Sequence, residues 1–370
     1  MIEGKDILTK RVKAIEVETP KSISQLLAEM SQTGFQGKNL AKVVDVMEEM
    51  IKDENTTILL GYAGSLSIAG QWKIINWLIE NRFIDILVPT GANISEDIVE
   101  AMGYSYWQGS HLADDRMLFG LGLNRYYDVY GRENDYLKMT ELIADFIQVL
   151  DENYIYSSRE FLYLFGKWLG EKGIRSIVTV AAENNVPIFC PAIIDSPYGD
   201  AALIAKSKGF NLTIDAVKDY VEFMGLGERV KDTGVIYIGG GVPKDFIQLF
   251  AVTGDLLYDD RRIPGRYNGL KRHSTNETYY PHKYAVQITT DSPQWGGLSG
   301  CTFEEAVSWG KESPNGRLVQ CYCDATIALP IVSHALAERI KFKRKGMDFS
   351  LINEQGHVRP FQDQVIQRRS

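Results

Sequence analysis

The sequence contains few cysteines, no long apolar run and a polar start. Only 4 of its 370 residues are cysteine. Cys321 and Cys323 are too close for a usual zinc or redox motif, so we expect reduced thiols and no metal site. No apolar stretch approaches the roughly 18 residues that a membrane span requires, and residues 1–6 lack the apolar core of a signal peptide. These absences predict a cytoplasmic protein without a membrane partner.

The chain also lacks the basic charge of a nucleic-acid-binding protein. It has 40 Lys and Arg against 48 Asp and Glu, which gives a net charge of −8. This balance argues against a nucleic-acid partner and is compatible with a cationic substrate. The apolar fraction of 45% is ordinary for a globular protein, and the chain is long enough to bury a large core.

Two common nucleotide-binding motifs are missing as well. No Gly-x-Gly-x-x-Gly sequence follows a predicted strand and no Walker A sequence is present, so an ordinary dehydrogenase site is not supported. Gly239-Gly240-Gly241 precedes a helix predicted from about Lys244. This run would let a phosphate approach the backbone at a helix N-terminus, or it is simply a tight turn that needs positive φ.

Short apolar segments alternate with helical segments, which predicts βαβ units, a parallel sheet and ligands at its C-terminal edge. Residues 1–55 read as helical with a turn at 33–37, and the last helix runs through Ile340. We expect one domain over 1–370, with an N-terminal extension (1–30), a long polar loop (255–282) and a fraying charged tail (341–370). The predicted strands are 58–62, 84–88, 187–190, 235–238, 284–289 and 319–323.

One short segment concentrates candidate chemistry. Residues 303–311 read Phe-Glu-Glu-Ala-Val-Ser-Trp-Gly-Lys and follow a Gly-rich run at 295–300. A lysine beside a large ring loses hydration, which lowers its pKa and favours a nucleophilic amine. Glu305 and Trp309 would share a helix face, and Gly310 would end that helix and turn Lys311 into a pocket. The alternative is a surface helix with a solvated lysine.

Several separated motifs resemble the deoxyhypusine synthase family, and more closely its bacterial deoxyhypusine synthase-like members. The similarity covers roughly residues 30–340. It implies an α/β, Rossmann-like, mostly parallel sheet with helices on both faces, in a homotetramer that binds NAD at subunit interfaces. The motifs are Thr33-Gly34-Phe35-Gln36, Leu60-Gly61-Tyr62, Gly239-Gly240-Gly241-Val242, and Glu305 to Lys311 followed by Asp324-Ala325.

The resemblance also implies a reaction. Spermidine is oxidised with NAD, an active-site lysine captures the aminobutyl fragment as an imine, and 1,3-diaminopropane leaves. The fragment passes to an acceptor amine, and the new imine is reduced by the retained NADH. The net reaction is therefore a group transfer.

By position, the resemblance assigns roles to individual residues. Lys311 would form the imine, while Glu305 and Trp309 would line the polyamine pocket through ion pairing and cation–π contact. Asp200 would hold another polyamine nitrogen. Each residue has a simpler alternative as a turn, helix-cap or strand-end residue. The residues expected at NAD are Gly64, Ser65, Thr90, Gly91, Ala92, Glu96, Asp195, Thr290, Asp324 and Ala325.

Three positions depart from the hypusine-forming enzymes. Asp245 stands where they have His, Leu249 where they have Asn, and Leu298 where they have Asp. If Asp245 faces the pocket, we expect it to meet a cation. The acceptor is then a small amine such as putrescine, giving homospermidine, or a lysine of the hypusine-bearing translation factor. A guanidinium such as agmatine could pair with Asp245, and a non-catalytic NAD or polyamine sensor is the alternative of a different class.

Overall fold

The computed structural model describes residues 9–226, 230–253 and 281–349. The strands are β1 Thr56–Tyr62, β2 Ile86–Pro89, β3 Trp107–Gln108, β4 Leu123–Tyr126, β5 Val129–Arg132, β6 Ile155–Tyr156, β7 Thr213–Ile214, β8 Asp232–Ile238, β9 His282–Thr289 and β10 Glu312–Tyr322. The buried strands β1, β2, β8 and β9 follow from apolar or β-branched runs bounded by turns.

Helices connect these strands and pack on them. Two begin with a reciprocal capping box, formed by Ser22 with Gln25 and by Ser157 with Glu160. The helices are α1 Ile23–Met30, α2 Phe35–Lys52, α3 Trp72–Glu80, α4 Glu96–Ala101, α5 Asp115–Gly120, α6 Glu133–Ile147, α7 Ser158–Glu171, α8 Ile177–Glu183, α9 Pro197–Ser207, α10 Ala216–Gly225, α11 Gly241–Thr253, α12 Phe303–Ser308 and α13 Ala325–Arg339.

Five strands form a parallel sheet in the order β10-β9-β8-β1-β2. Successive side chains of a strand point to opposite faces of the sheet. Both faces carry apolar side chains, and helices cover both. Ile58 and Leu60 of β1 pack into a cluster with α2, α3 and α13. Leu59 packs on the other face with Phe223 of α10 and Ile247 of α11. The predicted fold class is confirmed.

The strand order reverses beside β1. The chain leaves β1 for β2 on one side, whereas β8 pairs with the opposite side of β1. The loops after β1 and β8 therefore diverge at the C-terminal edge of the sheet. Open α/β sheets bind ligands at such a switch point.

Several predicted boundaries are wrong. Residues 9–22 form no helix, since Pro20 disfavours helical backbone before it and Ser22 caps α1 instead. The predicted strand 187–190 contributes a single parallel bridge, Leu87 with Ile188. β10 starts at Glu312 and α11 at Gly241. The predicted 255–282 loop falls outside the described residues up to 280, and His282 already belongs to β9.

The start of the C-terminal tail does not fray as predicted. Arg344 is 6% exposed, and its Nη1 donates to Asp85 Oδ2 at 2.7 Å. Asp85 also accepts from the Met347 backbone N–H at 2.9 Å, and Phe349 is fully buried. The buried carboxylate explains the order of this charged segment, because a buried guanidinium is stable only when it is paired. Residues 350–370 lie outside the described chain.

Candidate functional site

A cavity of about 430 Å³ lies at the switch point. It is bordered by the loops that follow β1, β8, β9 and β10, which meet because all four strands end at the same edge of the sheet. Five residues predicted to bind the cofactor lie in its wall: Gly64, Ser65, Thr290, Asp324 and Ala325.

The backbone around this cavity suits a phosphate group. α11 begins at Gly241, which lies in the cavity wall, and free N–H groups at a helix N-terminus attract anions. Gly64 and Gly241 have positive φ, and a Cβ at either position would meet no atom within 4 Å. The start of α13 differs, because the Asp324 carboxylate caps it and accepts from the Thr326 N–H at 2.8 Å. A carboxylate there suits hydroxyl groups rather than phosphate.

A second cavity of about 1050 Å³ adjoins the first and shares Ser65, Asp324 and Thr326 with it. Tyr106 and Trp107 contribute to its aromatic wall. Together the two cavities offer room and chemistry for a dinucleotide. Sequence analysis missed this aromatic wall, because the short antiparallel strands that carry it have no motif signal.

The predicted loop Thr90-Gly91-Ala92 is tied to the loop after β1 by Asn93. The fully buried Asn93 side chain donates to Thr90 Oγ1 at 2.9 Å and to the Gly64 carbonyl. It accepts from the Leu66 N–H at 3.0 Å. Asn93 therefore fixes the loops after β1 and β2 against each other. Sequence analysis gave Asn93 no role.

Glu96 is buried in the first turn of α4. Burial, with a smaller effect from Asp97, raises the pKa of Glu96 to about 8. Its Oε2 has no hydrogen-bond partner among the described residues. A buried carboxyl oxygen without a hydrogen-bond partner is energetically costly. Glu96 is therefore a candidate to bind a hydroxyl group of a ligand.

Lys311 is held at the end of α12. The helix ends at Ser308, and Gly310 has a φ of 75°, so the chain turns inward as predicted. The Lys311 side chain is 12% exposed, and its Nζ lies 2.8 Å from Asp245 Oδ1. It also lies 5.7 Å from the centre of the Trp309 ring. This geometry rules out the alternative interpretation, in which Lys311 is a fully solvated residue of a surface helix.

Asp245 does meet a cation, and that cation is Lys311. Its neighbour Lys244 is fully buried and donates to the Cys301 carbonyl at 2.8 Å and to the Leu298 carbonyl at 3.2 Å. Burial lowers the pKa of Lys244. Lys244 thus links α11 to the Gly-rich turn. Leu298 is half-buried in that turn.

Asp195, expected at NAD, and Asp200, expected at the polyamine, do not line the cavity at the switch point. Both are exposed near the start of α9, where Asp200 Oδ2 accepts from the Tyr136 hydroxyl at 3.4 Å. Glu305 is also exposed, and Trp309 is 49% exposed. The described chain therefore gathers part of the predicted site and leaves these four side chains accessible.

All four cysteines are free thiols. In the described part of the chain, no group of three or more His, Cys, Asp or Glu side chains could hold a metal ion. Across the same ranges, every helix is too short or too polar to span a bilayer.

A parallel sheet with a cavity at its switch point and a sheltered lysine at the end of α12 define an α/β protein with a candidate ligand site and a candidate amine nucleophile. The family model "Deoxyhypusine synthase" matches residues 25–336. The chain belongs to the deoxyhypusine synthase family, a family of NAD-dependent aminobutyltransferases.

Individual relatives agree with this assignment. "Probable deoxyhypusine synthase 2" from Methanosarcina acetivorans is 47% identical, over 86% of this chain and 88% of its own. The "Deoxyhypusine synthase-like protein" of Elusimicrobium minutum is 33% identical, over 93% and 89%. A crystal structure named "putative deoxyhypusine synthase", from Entamoeba histolytica, shares the fold with a TM-score of 0.59 and 19% identity, covering 90% of this chain and all of that one.

Proposed function

We propose that this chain transfers an aminobutyl group from spermidine, or a related polyamine, to an acceptor amine through Lys311. One observation carries the proposal: the Lys311 amine is sheltered beside the Trp309 ring and is held by Asp245 at 2.8 Å. A lysine that is shielded but still reachable is the type of side chain that forms imines. The family membership supplies the chemistry that this lysine would perform.

The transfer balances without net oxidation. Lys311 Nζ adds to the oxidised donor carbon next to the secondary nitrogen, and the bond from that carbon to 1,3-diaminopropane breaks. The acceptor amine then displaces Lys311 from the same carbon. In sum, spermidine and an amine give the aminobutylated amine and 1,3-diaminopropane. Asp245 is placed to hold the Lys311 proton between these additions.

NAD, when bound, would take a hydride from the donor and return it to the product. The residues of this chain that would hold it are the open glycines at 64 and 241 for phosphate, and Asp324 and Glu96 for hydroxyl groups. We expect a homotetramer in which the exposed Asp195 and Asp200 of one copy complete the site of another. This arrangement would explain why neither residue lines the cavity of its own chain.

We infer a small amine acceptor such as putrescine, because Asp245, Leu249 and Leu298 alter the pocket relative to hypusine-forming enzymes. The name of the Methanosarcina relative favours the other candidate, a lysine of the hypusine-bearing translation factor. A guanidinium acceptor is less favoured, since it would have to displace Lys311 from Asp245.

Product analysis separates these acceptors. The purified chain is incubated with NAD, labelled spermidine and, in parallel, putrescine, agmatine or the translation factor, and products are identified by mass spectrometry. We expect labelled homospermidine with putrescine and none with a Lys311→Ala variant. Label on the translation factor alone would refute the small acceptor. Binding of NAD and spermidine without any product would indicate a sensor.

A further inference from the structure

Lys311 has a second acceptor behind Asp245. The Gln248 amide oxygen lies 3.4 Å from Lys311 Nζ, and the Gln248 Nε2 donates to Glu312 Oε1 at 3.0 Å. Gln248 and Glu312 are both fully buried. Gln248 lies one turn after Asp245 on α11, and Glu312 directly follows Lys311, so the three side chains converge from two elements.

The chemistry of Glu312 fixes the orientation of Gln248. An ionised carboxylate only accepts hydrogen bonds, so it draws the amide NH₂ toward itself and leaves the amide oxygen facing Lys311. Without Glu312, only the Lys311 ammonium would select the amide oxygen, and a neutral Lys311 amine could instead accept from the amide NH₂. A buried carboxylate is costly unless polar partners surround it, and Glu312 Oε2 has no hydrogen-bond partner among the described residues. A residue with only a packing role at the buried position of Glu312 would be expected to be apolar.

Among the titratable groups around Glu312, the side chains that carry positive charge are Lys311 and Lys244. His282 pairs with Glu312 across the β9–β10 ladder, but burial lowers the pKa of His282 to about 4, so it is neutral. Tyr237 adjoins Glu312, and burial followed by the Glu312 charge raises the Tyr237 pKa. Burial, opposed by Gln248 and both lysines, raises the pKa of Glu312 to about 7.

We propose that Glu312 is a positioning residue for Lys311 that acts through the Gln248 amide. Asp245 and Gln248 occupy two of the three N–H directions of the Lys311 ammonium, which leaves the third direction for the donor. Loss of the proton in that direction leaves the lone pair aimed at the donor carbon. This inference rests on the proposed function for its catalytic meaning, but the geometry of the amine can be measured without catalysis.

Two readouts test the proposal, both compared at pH 8, which lies above the raised pKa of Glu312. The first is the rate at which an amine-reactive reagent labels Lys311 in the chain without ligands, followed by peptide mass spectrometry over a pH series. The second is the rate at which Lys311 forms its adduct in a single turnover with spermidine and NAD, measured after the adduct is trapped with borohydride. The variants are Glu312→Gln, Gln248→Ala and the two combined. Glu304→Gln, an exposed carboxylate on α12, is the matched control.

We expect each single variant to label Lys311 several-fold faster, because the ammonium loses an acceptor, and to form the adduct roughly tenfold more slowly, because the amine loses its orientation. The combined variant should be no slower than either single variant, since both remove one interaction. The exchange variant Gln248→Glu with Glu312→Gln should recover most of the adduct rate.

Each outcome has a separate meaning. Labelling profiles of Lys311 that match wild type in both single variants would overturn the positioning role. Additive losses of adduct rate in the combined variant would also contradict it. Wild-type protein that forms no adduct would defeat the proposed function, while the labelling profiles would still decide the inference. A general rise in the labelling of other lysines would show unfolding and count against positioning.

Discussion

Replacing Glu96 by glutamine is expected to reduce the pH dependence of folding in the unliganded chain. The Glu96 carboxyl is buried, and its pKa rises from 4.5 to about 8 through burial first and the nearby Asp97 second. An acid with a raised pKa in the folded chain binds its proton more tightly there than in the unfolded chain. It therefore stabilises the fold below about pH 4.5, and that stabilisation is lost as the pH rises to about 8.

The size of this effect follows from the pKa change. Each tenfold change in proton affinity corresponds to roughly 1.4 kcal/mol. Between pH 5 and pH 9, Glu96 should thus lower the free energy of unfolding by on the order of 4 kcal/mol. Little screening by water is expected, since Glu96 is 6% exposed. Asp97, whose pKa burial raises to about 7, adds a change of the same sign.

Urea denaturation of the unliganded chain at pH 5 and pH 9 measures the prediction. Wild type should lose stability between these values, and Glu96→Gln should lose on the order of 4 kcal/mol less. The exposed Glu152→Gln serves as a control for loss of a carboxylate. Parallel pH profiles for wild type and Glu96→Gln would show that Glu96 is not held neutral by burial, and would refute the reasoning.

Two further substitutions test the fold and the site. Asp85→Ala leaves the buried Arg344 without its carboxylate, so we expect the free energy of unfolding in urea to fall by about 3–5 kcal/mol. Adding Arg344→Met should recover part of this loss. A loss below about 1 kcal/mol would contradict the buried pairing. Gly240→Ala would place a Cβ 2.3 Å from Ser299 Cα, so NAD affinity should fall at least roughly tenfold. Gly37→Ala, whose Cβ would have ordinary contacts at 3.6 Å, should bind NAD like wild type.

The sheet was predictable because its strands are buried on both faces and read as continuous apolar runs. The turn at Gly310 was predictable for a similar local reason, since a glycine follows the last helical residue. The N-terminal part of β10 was not predictable, because residues 312–318 are largely polar and pair with β9 through a register shift after Glu312.

The polar network around Lys311 was only partly predictable. Asp245 stood out by its difference from related enzymes, but Gln248 and Glu312 carry no motif and lie 64 residues apart. Arg344 and Asp85 are separated by 259 residues, so local sequence gives no sign of their pairing. The roles of Asp195 and Asp200 stay predictions, because a single chain does not bring them to the cavity.

Trapping of the lysine adduct tests the central claim most directly. The chain is incubated with spermidine and NAD, reduced with borohydride, digested and mapped by mass spectrometry, with Lys311→Arg as the charge-matched control. We predict an aminobutyl group on Lys311 in wild type, release of 1,3-diaminopropane, and neither in Lys311→Arg. An adduct on another lysine, or transfer that persists in Lys311→Arg, would contradict it.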